Sequence, residues 1–314
     1  MKSDPTSLKR VASIDIGTNT ILLLIAKVEG GKIHPLIEIE TVARLGEGVQ
    51  KNGILLKEAM ERGLQTLAQY LKWCQEMEIQ KIFVVGTSAL REAKNSKDFL
   101  NLVREKLDLS IEVISGEEEA QLSFLAVAKD LQEREKPILV VDVGGGSTEF
   151  ILGKGDQIRQ WISLPLGSVR FTEEFLRSDP IQEEEWGGME RKIREHLVNI
   201  PHSQEPLSTV AVGGTATTLA SVEQGLEDFI AEKIHHFIVG KEALKNQLLL
   251  YRFKTIEERK RIPGLPAARA DVILAGGAIL YLAMEELKCP SVLISCHGVR
   301  YGLLYKKLNL NSRF

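Results

Sequence analysis

Cysteine is scarce in this chain: Cys74, Cys289 and Cys296 are the only three among 314 residues, widely spaced and never arranged as CxxC. That excludes a disulfide framework and a cysteine-rich metal site, and it points to reduced thiols in a cytoplasmic protein. Long hydrophobic runs are missing too. The longest, residues 272–284, contains Gly276 and Gly277 and falls short of the roughly 18 apolar residues that a membrane span needs. Residues 21–26 form an apolar run that follows Asp15 and Asn19 inside a repeat unit, so no secretory leader is expected. There is no basic excess either, since 40 Lys and Arg face 43 Asp and Glu for a net charge of −3. Backbone binding of nucleic acid usually shows the opposite balance, so neither nucleic acid nor membrane is expected as a partner, whereas small or linear anions stay open. What the chain does have is apolar material, 44% of its residues, enough for a full core and two domains.

The chain is organised around residues 140–150, VVDVGGGSTEF. An apolar strand runs into a turn carrying Asp142, Gly144, Gly145, Gly146, Ser147, Thr148 and Glu149. Glycines take backbone angles that other residues avoid, so successive amide N–H groups can converge on a phosphate, with Asp142 and Glu149 flanking that nest. Ordinary hairpin turns also use glycine runs, but here there is a second copy. In residues 11–26, VASIDIGTNTILLLIA, Asp15, Gly17 and Thr20 align with Asp142, Gly144 and Ser147 at a constant offset of 127, and Thr18 and Asn19 face Gly145 and Gly146. Each copy reads as strand, glycine turn, strand, polar turn, strand, which predicts two related domains facing each other across a cleft.

Between these copies, residues 44–48 (RLGEG) read as a charged loop. Residues 55–77 read as a helix whose Leu56, Met60, Leu64, Leu67, Leu71 and Cys74 face the core. Arg91 follows the strand at 81–85 and either grips phosphate oxygens or pairs with a neighbour such as Glu92. Asn95 or Ser96 is placed to cap the next helix. In residues 115–120, SGEEEA, Ser115 and Glu118 have capping-box spacing, so Glu117, Glu118 and Glu119 fill a first helical turn. At about 100° per residue, at most two of those acids share a direction. Later, VGGTATTLA (212–220) forms a strand-to-helix junction that either cradles a phosphate or allows close packing. The basic stretch 245–261 reads as a polyanion guide or a solvated helix face, and adjacent Cys296 and His297 make a poor nucleophilic dyad.

Six motifs in this order, DIGTNT (15–20), GTSALREA (86–93), ISGEEEA (114–120), DVGGGSTE (142–149), VGGTATTLA (212–220) and RADVILAGGAIL (269–280), span nearly the whole chain. Together they resemble the exopolyphosphatase/guanosine-pentaphosphate phosphohydrolase family. The resemblance implies an α/β fold of two domains of the type shared by actin, sugar kinases and heat-shock ATPases (ribonuclease H-like), each a mixed sheet flanked by helices. Domain I would cover 1–127, completed by a C-terminal helix near 299–314, and domain II 128–298. It also implies removal of the terminal phosphoryl group of polyphosphate, of guanosine pentaphosphate, or of both, with magnesium.

By motif, Glu119 matches the general base and Glu149 its partner carboxylate; Asp15, Asp142 and Glu149 match acids near the metal. Gly17, Thr18, Asn19, Arg91, Gly144, Gly145, Gly146, Ser147 and Thr148 match phosphate-loop positions. A homodimer is left open. The chain's 314 residues lack the added helical region of long members, so their processivity and domain-exchanged dimers are not carried over. Tyr301 stands where many members have an acidic residue. A small-molecule kinase is disfavoured for want of an acceptor-activating acid, and a non-catalytic alarmone-binding protein of the same fold is the alternative from another class.

Overall fold

The computed structural model describes residues 10–131 and 135–310; the outermost stretches of the expected domain I, 1–9 and 311–314, lie outside them. The chain divides into two compact units. The first holds the described residues up to Ala126 together with those from Val299 onward; the second is Val127–Gly298.

In the first unit β1 (Arg10–Ile16), β2 (Ile21–Glu29) and β3 (Lys32–Thr41) form an antiparallel meander. Then come α1 (Val49–Asn52), α2 (Lys57–Glu76), β4 (Lys81–Gly86), α3 (Ser88–Glu92), α4 (Ser96–Leu107), β5 (Glu112–Val113) and α5 (Gly116–Leu131). The sheet order is β3-β2-β1-β4-β5, with β4 and β5 added in parallel. Both faces of β1 and β2 are covered, which is why these strands read as nearly unbroken apolar runs. Ala12, Ile14, Ile16, Leu23 and Ile25 pack into one cluster with α2 and α4. Val11, Leu24 and Ala26 pack on the other face against Ala126 and the chain's last helix.

The helix at 57–76 turns the face that carries its leucines inward, and small residues beside them go deepest. Its fully buried residues are Ala59, Gly63, Leu67, Tyr70 and Cys74, with Met60, Leu64 and Leu71 only partly covered. Small residues allow the backbone to approach the sheet, while Tyr70 reaches in and donates to Ile21 O at 2.8 Å. Burial pushes the Cys74 thiol up to about 11, which keeps it an inert core group. Asn95 stands at the start of α4 without capping it by a side-chain hydrogen bond. Instead, its amide exchanges two hydrogen bonds with the Leu55 backbone, at 2.8 and 3.1 Å.

The second unit repeats the meander as β6 (Pro137–Val143), β7 (Thr148–Lys154) and β8 (Gln157–Leu164). It continues with α6 (Ser168–Phe175), α7 (Glu183–Leu197), β9 (Ser208–Val212), α8 (Gly213–Glu223), α9 (Ala231–Ile234) and β10 (Ile238–Gly240). Next are α10 (Lys241–Arg252), α11 (Ile256–Arg259), α12 (Ile273–Glu286) and β11 (Ser291–Ile294), and the order of its sheet is β10-β11-β9-β6-β7-β8. The apolar run noted above is α12, buried on almost every side, so its uniform hydrophobicity marks a core helix rather than a one-sided stripe. No helix among the described residues is long and apolar enough to cross a membrane.

The basic stretch dissolves as a single surface. Arg252 pairs with Glu183 at 2.6 Å, Lys260 with Glu257, and Arg259 is buried, donating to Tyr251 O at 2.7 Å and Ala270 O at 3.3 Å. Burial lowers the Arg259 pKa despite the opposing pull of Asp179 and Asp271.

The last helix, α13 (Val299–Lys307), belongs to the first unit and crosses α5 closely: a Cβ on Gly302 would lie 2.0 Å from Leu122 O. Backbone cannot yield as a side chain would, so Gly302→Ala is expected to cost about 1–3 kcal/mol even though alanine favours helix. Gly187 in α7 meets nothing closer than Arg191 Nη1 at 3.5 Å, and Gly187→Ala is expected to gain about 0.5–1 kcal/mol. Urea-unfolding midpoints should therefore move in opposite directions; a shift of the same sign would refute the packing argument.

Candidate functional site

The duplication read from the residues is present in the backbone. Gly17 N–H donates to Thr20 O at 2.9 Å, and Gly144 N–H to Ser147 O at 3.0 Å. Both outer strand pairs shift register at the corresponding point, between Ile25 and Ala26 and between Leu152 and Gly153. Gly17 and Gly144 do not adopt the left-handed backbone anticipated for the nest. They are needed for closeness, because a Cβ would stand 3.1 Å from Thr20 O and 3.0 Å from Ser147 O.

The segment after each meander takes hold of the turn's carbonyls. Arg44 N–H donates to Asn19 O at 2.8 Å and Gly46 N–H to Thr18 O at 2.9 Å. In the second unit Ser168 N–H donates to Gly144 O (2.9 Å), and Val169 and Arg170 N–H donate to Gly145 O (3.0 and 3.1 Å). Arg170 Nε reaches Gly146 O at 2.8 Å. A trans peptide points its N–H opposite its C=O. Fixing these carbonyls therefore turns the N–H groups of Asn19 and Thr20, and of Gly145, Gly146 and Ser147, away from the bracing segment. A row of amides so directed is an anion-binding arrangement.

Sequence reasoning missed this brace, and it read 44–48 simply as a charged loop. The available signal was a glycine in each segment: a Cβ on Gly46 would meet Thr18 Cγ2 at 2.4 Å, and one on Gly167 would meet Gly145 O at 2.2 Å.

The two turns differ in side chains. In the first, Thr18 Oγ1 and both polar atoms of the Asn19 amide are buried and make no hydrogen bond among the described residues. Each such group costs about 1–3 kcal/mol, which native folds seldom tolerate away from a binding site. In the second, Asp142 lies directly across from Glu149 on β6 and β7, on one face of the sheet, where like charges repel unless a cation separates them. The same register position in the first turn pairs Asp15 with Leu22. Glu149 is 1% exposed and accepts from Ser163 Oγ at 2.7 Å; Ser163, its cross-strand partner on β8, is a second positioning residue that sequence reasoning missed. Ser147 is buried beside them.

Thr148 departs from the expected phosphate contact. Strand alternation turns it to the opposite face from Glu149, where its hydroxyl donates to Leu166 O at 2.6 Å. Gly213 has φ 88°, and a Cβ there would come 2.9 Å from Asp142 Oδ1, so glycine lets that carboxylate reach the start of α8. At Gly214 the junction is filled by buried Arg269, whose Nη2 would be 1.9 Å from a Cβ; this is close packing.

At the start of α5 the three acids separate. Ser115 and Glu118 form the expected reciprocal cap, with Glu118 N–H to Ser115 Oγ at 3.2 Å and Ser115 N–H to Glu118 Oε2 at 3.1 Å. That backbone hydrogen bond is the main reason the Glu118 carboxyl is held low. Glu117 accepts from Gln121 at 3.3 Å. Only Glu119 turns inward: it is 8% exposed, and Arg91 Nη1 donates both to its Oε2 at 3.0 Å and to Ile114 O at 2.9 Å. Glu92, the alternative partner for Arg91, takes the Ser88 hydroxyl instead.

The sequence profile of the Ppx/GppA phosphatase family matches residues 24–311. The chain belongs to that family. A bifunctional 3-dehydroquinate synthase/phosphatase of Fusobacterium nucleatum is 37% identical over 296 residues, 90% of this chain but 44% of that protein, so the chain spans less than half of that relative's length. Among solved structures, the Aquifex aeolicus Ppx/GppA family member is 34% identical with a TM-score of 0.81, covering 96% of this chain and 98% of its own. An exopolyphosphatase from Cytophaga hutchinsonii is 27% identical with a TM-score of 0.87, covering 96% of this chain and all of its own, 100%.

Tyr301 is buried at 1% exposure among Val11, Leu24 and Leu304. Cys296 and His297 do not form a dyad: His297 Nδ1 faces Asp130 Oδ1 at 3.4 Å, and the Cys296 amide donates to His235. For the brace, Arg170→Gln removes a charged donor worth about 1–2 kcal/mol to the turn. Amide exchange at residues 145–147 is expected to rise roughly 5- to 30-fold, and unchanged exchange would show that α6 alone fixes the turn.

Proposed function

We propose that this Ppx/GppA phosphatase is an exopolyphosphatase, removing the terminal phosphoryl group of inorganic polyphosphate by in-line attack of water. The observation that carries the reading is the buried Glu119 carboxylate held in one orientation by Arg91, with the solved exopolyphosphatase of like fold as support. Glu119 is the general base: it takes a proton from the attacking water as the new P–O bond forms and the bridging P–O bond breaks. Phosphate leaves, and the polymer is one unit shorter. Arg91 uses Nη1 for Glu119 and Ile114, so its Nε and Nη2 edge is free to grip phosphoryl oxygens.

In the second unit the amides of Gly145, Gly146 and Ser147 and the Ser147 hydroxyl are assigned to phosphate oxygens; in the first unit Thr18 and Asn19, whose buried polar atoms make no hydrogen bond among the described residues, are assigned the same kind of contact. Gly17 and Gly144 shape the two turns. Asp142 and Glu149, facing each other across β6 and β7, and Asp15 of the first unit are hard-oxygen donors of the kind that suit Mg²⁺, which would supply neutralisation of phosphoryl charge when bound. Ser163 holds Glu149 in place through its 2.7 Å hydrogen bond.

The test is phosphate release with magnesium from polyphosphates of several lengths, guanosine pentaphosphate and ATP. Polyphosphate is expected to be preferred, and Glu119→Gln is expected to fold while releasing phosphate about 10²–10⁴ times more slowly. Preference for the guanine nucleotide would replace the assigned substrate; near-unmodified turnover by Glu119→Gln would remove the base; and no release from any of them would leave a binding protein.

A further inference from the structure

Asp130, near the end of α5, is met by imidazoles from two distant stretches of the second unit: His235 and His236 before β10, and His297 after β11. None of these residues belongs to the turns or to the Glu119 pair. His236 Nε2 lies 2.8 Å from Asp130 Oδ2, an ordinary charge-assisted hydrogen bond. The other contacts are longer: His235 Nε2 is 3.3 Å from both Oδ1 and Oδ2, and His297 Nδ1 is 3.4 Å from Oδ1.

Two ligand atoms held at about 2.0–2.1 Å on a tetrahedral zinc ion stand about 3.3–3.4 Å apart. The long contacts have that spacing, whereas the His236 contact does not. The three candidate atoms lie within 4.8 Å of one another. Their side chains are 12%, 20% and 20% exposed for Asp130, His235 and His297, shielded yet reachable. The rings are also preset by stacking, with centroids of His235 3.9 Å from His236 and 4.4 Å from His297.

We propose that Asp130, His235 and His297 form a binding site for a borderline transition metal of the zinc class, separate from the hard-oxygen acids of the turns. Two imidazole nitrogens with one carboxylate select such an ion over Mg²⁺, which favours an all-oxygen shell. His236 stays outside the shell and orients the carboxylate through Oδ2, as outer partners of metal ligands do. Cys296 N–H donates to His235 Nδ1 at 3.1 Å, which puts the proton of neutral His235 on Nε2. Coordination through Nε2 moves that proton to Nδ1 and opens the Cys296 contact, so metal uptake carries a conformational signal at residues 295–298.

Equilibrium dialysis of the full chain against zinc, in a large excess of magnesium to occupy the hard-oxygen acids, tests this. About one zinc per chain is expected, with cobalt in its place giving the strong visible absorption of a tetrahedral centre. Asp130→Asn and His297→Gln should each weaken binding at least tenfold, and His236→Gln should weaken it about 10- to 100-fold as an outer partner. Circular dichroism identifies any variant that fails to fold, in which case the other ligand variant decides. Equal zinc binding by a folded ligand variant, or no zinc on the unmodified chain, overturns the proposal.

Discussion

A peptide unit that commits its carbonyl to one side presents its N–H to the other, and both glycine turns are governed by this constraint. The turns do not need left-handed glycines to aim their amides, because the following segment anchors the carbonyls: Arg44 and Gly46 in one unit, Ser168, Val169 and Arg170 in the other. The direction of the turn amides follows from that anchorage. The strand register puts Asp142 across from Glu149, and Ser163 of the next strand fixes the second of these carboxylates. Gly213 then gives Asp142 room to approach α8.

The first turn of α5 solves a related problem with side chains. Three adjacent glutamates would repel one another if they shared a direction, and helical rotation separates them by about 100° per step. One satisfies the helix end, one pairs along the surface with Gln121, and one is buried against a guanidinium. Burying Glu119 would be costly without Arg91, and Arg91 is itself fixed by Ile114 O at the end of the neighbouring strand segment. The acid therefore occupies a single orientation in a region where most carboxylates are mobile and solvated.

How much of this was legible depended on the range over which each feature is encoded. The repeat and the Ser115–Glu118 cap follow from patterns a few residues long, and they are where the sequence placed them. The inward face of α2 follows from its leucine spacing, but the depth of each residue does not, because that spacing reports hydrophobicity and not closeness; Ala59 and Gly63 go deepest since they let the backbones approach. Thr148 was assigned to phosphate by its place in the motif, whereas strand alternation turns it toward Leu166. The brace at Gly167 and Arg170, the burial of Arg259 and the gathering of His235, His236 and His297 on Asp130 join residues many positions apart. No local pattern announces such contacts.

The two turns began as the same device and now differ in what they offer an anion. The first carries Thr18 and Asn19, with buried side-chain polar atoms that make no hydrogen bond among the described residues, and its acid faces Leu22, an apolar partner. The second replaces those side chains with Gly145 and Gly146, leaving backbone donors and the Ser147 hydroxyl, and sets a second acid opposite the first. Glycine is what makes the difference workable, since a residue with a side chain at Gly167 would collide with the turn. A repeated hairpin supplies the same amide geometry twice and leaves the side chains free to differ: a hydroxyl and an amide beside a single acid in one copy, two carboxylates facing each other in the other. A facing pair of carboxylates concentrates negative charge on its sheet face, whereas an acid opposite Leu22 does not, so two turns of one backbone geometry present different fields to whatever approaches them.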